Sequence, residues 1–196
     1  YLTKTVDPAA LVARIKSMLR IKSLHDKVIE QSNQLKRQLK TATKIQSLFW
    51  PDIPKLEGGG HLWALSVPAT YVGGDLYDII PLPDGSFLAY VADVSGKGVP
   101  AALIMAALST RIRSEARIQT EVDRLLENVN TSMHSLISEE GFFGTIVLVR
   151  YWSHSGKIQF VLAGHLPPLW IAGRGIGNLP QSSGISLGVK QHAKYE

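Results

Sequence analysis

Two short apolar runs, residues 75–82 and 86–93, are separated by Pro83-Asp84-Gly85. That punctuation between strand-like runs predicts a β-hairpin, and a hairpin fixes which residues on its two arms meet. With a two-residue loop at Asp84-Gly85, Pro83 faces Ser86 and Asp75 falls opposite Val94. With a three-residue loop or one bulge, Asp75 falls opposite Asp93. In either register two carboxylates stand near each other in an otherwise apolar hairpin. Facing Cβ atoms of an antiparallel pair are about 5 Å apart, so like charges there repel. A hard divalent cation with oxygen ligands, Mg²⁺ or Mn²⁺, would offset the repulsion. Two solvent-facing acids at a hairpin end are the plainer alternative.

The next residues extend the pattern. Ser95-Gly96-Lys97-Gly98 is a glycine-rich loop, and Pro100 suits the first turn of a helix that the Ala/Leu/Ile/Met run 101–108 supports. A loop feeding free N–H groups into a helix start attracts anions, phosphate included, and Lys97 adds positive charge. Taken alone, the loop is an ordinary strand-to-helix turn. Carboxylates and a phosphate-friendly loop at the ends of one hairpin point to metal-assisted phosphate chemistry.

Gly73-Gly74-Asp75-Leu76-Tyr77-Asp78, with Asp93-Val94-Ser95-Gly96-Lys97-Gly98-Val99-Pro100-Ala101-Ala102-Leu103, resembles the PPM family of metal-dependent Ser/Thr phosphatases. The branch is the bacterial one that includes RsbU-type partner-switching enzymes. Gly-Gly-Asp also occurs in diguanylate cyclases, but those continue with Glu-Phe where Leu76-Tyr77 stands here. The resemblance implies an α/β fold: antiparallel sheets packed as a sandwich, flanked by helices at 100–115 and about 120–138. It implies Asp75 and Asp93 as catalytic metal ligands for Mn²⁺ or Mg²⁺, helped by the Val94 carbonyl, with activated water attacking phosphorus in line. Ser95 stands where animal-type members carry a histidine, so that general acid is absent.

The N-terminal quarter differs in character. Residues 1–50 hold ten Lys/Arg against three Asp/Glu, and residues 51–196 hold eleven against thirteen, so the basic balance belongs to the first segment. Asp7-Pro8 starts a helix whose apolar face is Leu11, Ile15, Met18 and Leu19. Residues 1–20 resemble the end of a response-regulator receiver domain, with Lys4 as its phosphate-contacting lysine, although Thr5 replaces the usual proline. Residues 21–50 lack Gly and Pro and fit a heptad, with Ile21, Val28, Leu35, Ala42 and Phe49 on one seam and Leu24, Gln31, Gln38 and Ile45 on the other. Either a parallel homodimeric coiled coil or a helix packed along its own domain fits. Ala42 to Pro51 resembles the Ile-Gln-x-x-Leu-Leu-Pro junction that precedes phosphatases of this branch. Residues 51–196 then form the phosphatase-type domain, entered through a Pro/Gly-rich linker, Pro51–Gly60.

Further strands are expected at Leu62–Val67, Gly144–Tyr151, Lys157–Leu162 and near Leu169–Ala172. Helix 120–138 has the apolar stripe Val122, Leu125, Leu126, Val129, Met133, Leu136 and Ile137, with Thr120 and Asp123 able to cap it. His165, in Ala163-Gly164-His165-Leu166-Pro167-Pro168, reads as a brace for its own turn, or else as a ligand or acid/base. Phe143-Gly144-Thr145 and Gly184 to Gly188 also match the branch. The branch places further metal-binding aspartates beyond Leu187-Gly188-Val189, and the sequence stops at Glu196 before either. The expectation is an incomplete C-terminus and second metal shell.

The chain has no cysteine, which excludes disulfides and thiol catalysis. No apolar run approaches membrane-spanning length and no signal peptide is visible, so the reading is cytoplasmic, with neither membrane nor nucleic acid as partner. The expected function is dephosphorylation of a phosphorylated anti-sigma-factor antagonist by the output domain of a response regulator. A catalytically inactive phosphatase-like adaptor that binds a regulatory protein is the alternative.

Overall fold

Asp7 opens the first element: its Oδ1 accepts a hydrogen bond from the Ala9 N–H at 3.0 Å, and Pro8 follows in the first turn of helix α1 (Pro8–Gln46). The computed structural model describes residues 7–53, 60–173, 175–177, 179 and 184–196. Lys4 and most of the Pro51–Gly60 linker lie outside the described residues. With no Gly or Pro to interrupt it, α1 continues to Gln46 and tightens into a 3₁₀ turn at Ser47–Phe49 before Pro51. Its seam residues Ile21, Val28 and Leu35 are exposed. Two compact units divide the chain, one through Ala42 and one from Thr43 to Glu196.

The second unit is built on four antiparallel strands in the order β1-β2-β3-β4. They are β1 (Leu76–Pro81), β2 (Ser86–Val94), β3 (Gly144–Trp152) and β4 (Lys157–Ala163). The hairpin turn settles the register that the sequence leaves open. Leu82 N–H donates to the Ser86 carbonyl at 2.8 Å, enclosing a three-residue loop in which Gly85 has φ +78°. That left-handed conformation is accessible to glycine at little cost. Leu76 therefore pairs with Ala92 and Pro81 with Phe87, so Asp75 falls opposite Asp93.

Alternation along β2 sorts its side chains between two faces. Leu88, Tyr90, Ala92 and Val94 pack into the core against α2 (Val99–Glu115) and α3 (Val122–Ile137), chiefly through Met105, Leu108, Ile112, Leu125, Leu126 and Val129. Each fully buried side chain of this size contributes about 2 kcal/mol. Val91 and Asp93 point to the opposite, open face. Two ionic braces, each with one buried and one half-exposed partner, lock the arrangement. Asp78 on β1 receives Arg113 of α2 through two nitrogens at 2.7 Å, and the Ile79 N–H as well. Burial pushes the Asp78 carboxyl up and outweighs the opposing pull of Arg113. Arg150 on β3 binds Asp84 and Ser86 in the hairpin turn and the Thr120 carbonyl before α3.

The structure corrects three local expectations. Residues Leu62–Val67 form no strand: they alternate in exposure, but no described neighbour supplies a hydrogen-bonding ladder. The α3 cap does not form at Thr120: the helix starts one residue later, with Glu121 as its N-terminal flank accepting from the Leu125 N–H through its carbonyl and making no side-chain cap bond. Leu136 lies outside the buried stripe, while Asn130 lies within it. Asn130 accepts from Gly188 N–H and donates to the Lys190 and Gln191 carbonyls, tying the C-terminal segment to α3. Leu187 exchanges two backbone hydrogen bonds with Gly144 at the start of β3. A short hairpin, β5 (Trp170–Ala172) with β6 (Gly175–Gly177), completes the described elements.

Candidate metal centre

The open end of the β1–β2 hairpin carries both predicted aspartates. Val94 N–H donates to the Gly74 carbonyl at 3.3 Å, which extends the ladder one step past Leu76–Ala92. The alternation of antiparallel bonding then makes Asp75–Asp93 a non-hydrogen-bonded pair, the kind whose Cα atoms approach to about 4.5 Å and whose side chains are closest. Both side chains line one cavity of about 500 Å³ on the face away from α2 and α3, together with Trp63, Leu65, Tyr77 and His165.

The electrostatics follow from this placement. Partial burial raises the Asp93 pKa, and the facing charge of Asp75 and a carboxyl–carboxyl hydrogen bond raise it further, while His165 pulls it down. Asp93 keeps open access to solvent, so burial acts on it only in part. Burial is still the largest cause of the rise, with the facing charge of Asp75 next. Among the described residues no Lys or Arg forms an ion pair with either aspartate.

Gly74 explains the glycine pair before Asp75. A Cβ on Gly74 would sit 2.5 Å from the Val94 carbonyl oxygen, so a side chain there would displace that oxygen. The candidate donors lining the cavity are the two carboxylates, and the Val94 carbonyl oxygen packs against Gly74, the residue before Asp75. Among the described residues no group of three or more His, Cys, Asp or Glu is placed to hold a metal. One or two carboxylates, with water and substrate phosphate completing the shell, is the habit of Mg²⁺, and the all-oxygen set fits Mg²⁺ or Mn²⁺.

The remaining candidates separate. Lys97 is exposed and does not line the cavity. Ser95 ties its loop to the residues before β3: its N–H donates to the Phe143 carbonyl and its Oγ accepts from the Phe143 N–H. Gly96 and Gly98 take positive φ, at +93° and +71°, which shapes the entry into α2. His165 is not occupied only with its own turn. Its Nδ1 is hydrogen-bonded to Thr145 Oγ1 at 2.8 Å, and Thr145 is the β3 partner of Asp93. No local sequence signal places His165 there, because the contact joins residues twenty apart across the sheet.

Comparison with known proteins identifies relatives of the chain. The family model for Stage II sporulation protein E (SpoIIE) matches residues 83–196. Phosphoserine phosphatase RsbU of Bacillus subtilis is 26% identical over 165 residues, covering 83% of this chain and 48% of that protein. The chain thus spans about half the length of this relative. Among solved structures, the RsbU and RsbW domains of Rv1364c from Mycobacterium tuberculosis superpose with a TM-score of 0.55 at 27% identity, over 66% of this chain and 36% of that one. The SiaA-PP2C domain of Pseudomonas aeruginosa gives 0.53 at 25% identity, over 67% and 54%. The chain belongs to the SpoIIE family of PP2C-like domains, on the RsbU-type branch.

Proposed function

We propose that the chain is the catalytic part of a metal-dependent protein phosphatase acting on phosphoserine or phosphothreonine. The observation that carries this reading is the Asp75–Asp93 pair, opposed at the end of one hairpin with no Lys or Arg among the described residues paired to either. Asp75, Asp93 and the Val94 carbonyl would hold Mn²⁺ or Mg²⁺, which supplies the charge that activates water toward a phosphoryl group. The chain's own residues set the geometry. The ladder holds the two carboxylates opposite each other, and Gly74 leaves room for the Val94 oxygen. The cavity walls, with Trp63, Leu65 and Tyr77, favour a peptide-borne phosphate over a free one. The similarity to a phosphoserine phosphatase supports the reaction class.

The substrate we propose is a small phosphorylated anti-sigma-factor antagonist. The chain would act as the output of a receiver domain, in the cytoplasm and without nucleic-acid or membrane partners. Among the described residues no helix is long and apolar enough to cross a membrane. An adaptor role fits less well, because a surface kept only for binding has no need of two opposed acids.

In the full-length protein, Asp93→Asn should lower Mn²⁺-dependent phosphate release from a phosphoserine protein at least ~100-fold, the upper end for a lost supporting partner of a metal. The circular dichroism spectrum should stay unchanged. Equal turnover by the two proteins would remove the site. The exposed seam of α1 is proposed to pair with a second copy. Val28→Lys with Leu35→Lys should then lower the mass measured by sedimentation, whereas an unchanged mass would leave the helix a spacer.

A further inference from the structure

The last turn of α1 reaches the site by a route the chemistry above does not use. Gln46 ends the helix and is only 5% exposed. Its carboxamide bonds twice to a single residue: Nε2 donates to the Gly73 carbonyl at 2.7 Å, and Oε1 accepts from the Gly73 N–H at 3.2 Å. A side-chain amide presents a donor and an acceptor side by side, matching the carbonyl and N–H of one residue. Gly73 lies before β1, outside the sheet ladder, so Gln46 gives both its backbone groups a partner. The next residue, Gly74, accepts from Val94 N–H and lies so close to the Val94 oxygen that no Cβ fits. Asp75 follows directly. From the Gln46 amide to the first carboxylate there is only backbone, with no long side chain to absorb a displacement.

We propose that Gln46 is a positioning residue for the metal centre. By clasping Gly73 it presses Gly74 against Val94, and so sets both the approach of Asp75 to Asp93 and the aim of the Val94 oxygen. The proposal rests on the metal reading of the Asp75–Asp93 pair. Residues that orient metal ligands from outside the ligand shell typically change affinity 10–100-fold when replaced, and the lower end is expected here because the β-ladder still supports Asp93.

The test compares wild type, Gln46→Leu, Gln46→Glu and Asp93→Asn in the full chain. Mn²⁺ binding is read from the electron paramagnetic resonance of the free ion. Amide exchange at Gly73 and Val94 is read by nuclear magnetic resonance. Gln46→Leu removes both hydrogen bonds. Gln46→Glu keeps the acceptor but sets a second oxygen against the Gly73 carbonyl. Both should weaken Mn²⁺ about tenfold and speed exchange at Gly73 and Val94 at least tenfold, with core amides of α3 unchanged. A purely structural role would instead raise exchange throughout the unit and lower its melting temperature, and that result overturns the proposal. So does wild-type exchange at Gly73 in both variants. If Gln46→Leu fails to fold, Gln46→Glu carries the measurement. Asp93→Asn separates the two readings. If it binds Mn²⁺ like wild type, the metal reading falls, while exchange at Gly73 still decides whether Gln46 fixes the loop. If it loses Mn²⁺ and both Gln46 variants keep it, the positioning role falls.

Discussion

One hairpin carries aspartates at both ends, and the two ends treat them in opposite ways. At the turn, Asp84 accepts from the Ser86 hydroxyl and N–H and from Arg150 at 2.7 Å, and these contacts lower its pKa to about 2. At the open end, Asp93 faces Asp75 and its pKa is raised. The residue type and the two strands are the same; what differs is whether the protein brings its own cation. Arg150 reaches the turn from β3, and no described Lys or Arg reaches the other end. An acid matched by an arginine holds the fold, and a pair of acids left facing each other is available for chemistry.

Removing the cation from the matched end should have the largest effect on stability. Arg150→Met keeps the bulk but strips the hydrogen bonds to Ser86, Thr120 and Asp84. Losing the hydrogen bonds of this charged donor costs about 2 kcal/mol, and the melting temperature should fall by about 6 °C. A fall under 2 °C would mean that the turn does not depend on its cation.

Removing the acid instead should have a smaller effect that depends on pH. The Asp84 pKa is depressed from 3.8 to about 2, so its contribution is present above pH 3.8 and is lost as pH falls toward 2. Asp84→Asn should therefore lower the melting temperature at pH 7, and the gap to wild type should close as pH falls through that window. A gap independent of pH would show that shape, not charge, holds the turn.

At the open end the same substitution should act in the opposite direction. Without metal, Asp93→Asn relieves a like-charge pair, worth up to about 1 kcal/mol across strands, and should stabilise the protein at pH 7. Because the Asp93 pKa is raised, the gain should disappear at acid pH, where the wild-type carboxyl is already protonated. Melting curves in a chelator at pH 7 and pH 3 provide the check. Destabilisation at pH 7 would mean the two ends do not differ in kind.

Much of this was legible in the sequence, because it depends on near neighbours. The hairpin and the helices at 100–115 and about 120–138 follow from local turn chemistry and periodicity, while their packing and the metal role of Asp75 and Asp93 rest on the family resemblance. The register did not, since it turns on one hydrogen bond from Leu82 to Ser86 and on the conformation of Gly85. Residues Leu62–Val67 have the alternation of a strand, but a strand also needs a partner, and alternation says nothing about one. His165 and Gln46 were harder still. Gln46 lies in the junction motif before Pro51 and His165 in Ala163-Gly164-His165-Leu166-Pro167-Pro168, but each meets the site through a contact across the fold, to Gly73 and to Thr145, that its motif does not reveal.

The three-residue turn also determines which kinds of change the site can survive. Substitutions at Pro83 or Asp84 leave the count of residues between Asp75 and Asp93 untouched. A single insertion or deletion there alters that count by one, and a strand displaced by one residue turns every side chain to the other face. Asp93 would then be driven toward the helices, or Ala92 brought out beside Asp75, with no altered residue near the cavity. The turn is thus a length standard for a site at the far end of its own strands, so drift in loop length should be far more damaging there than drift in loop composition.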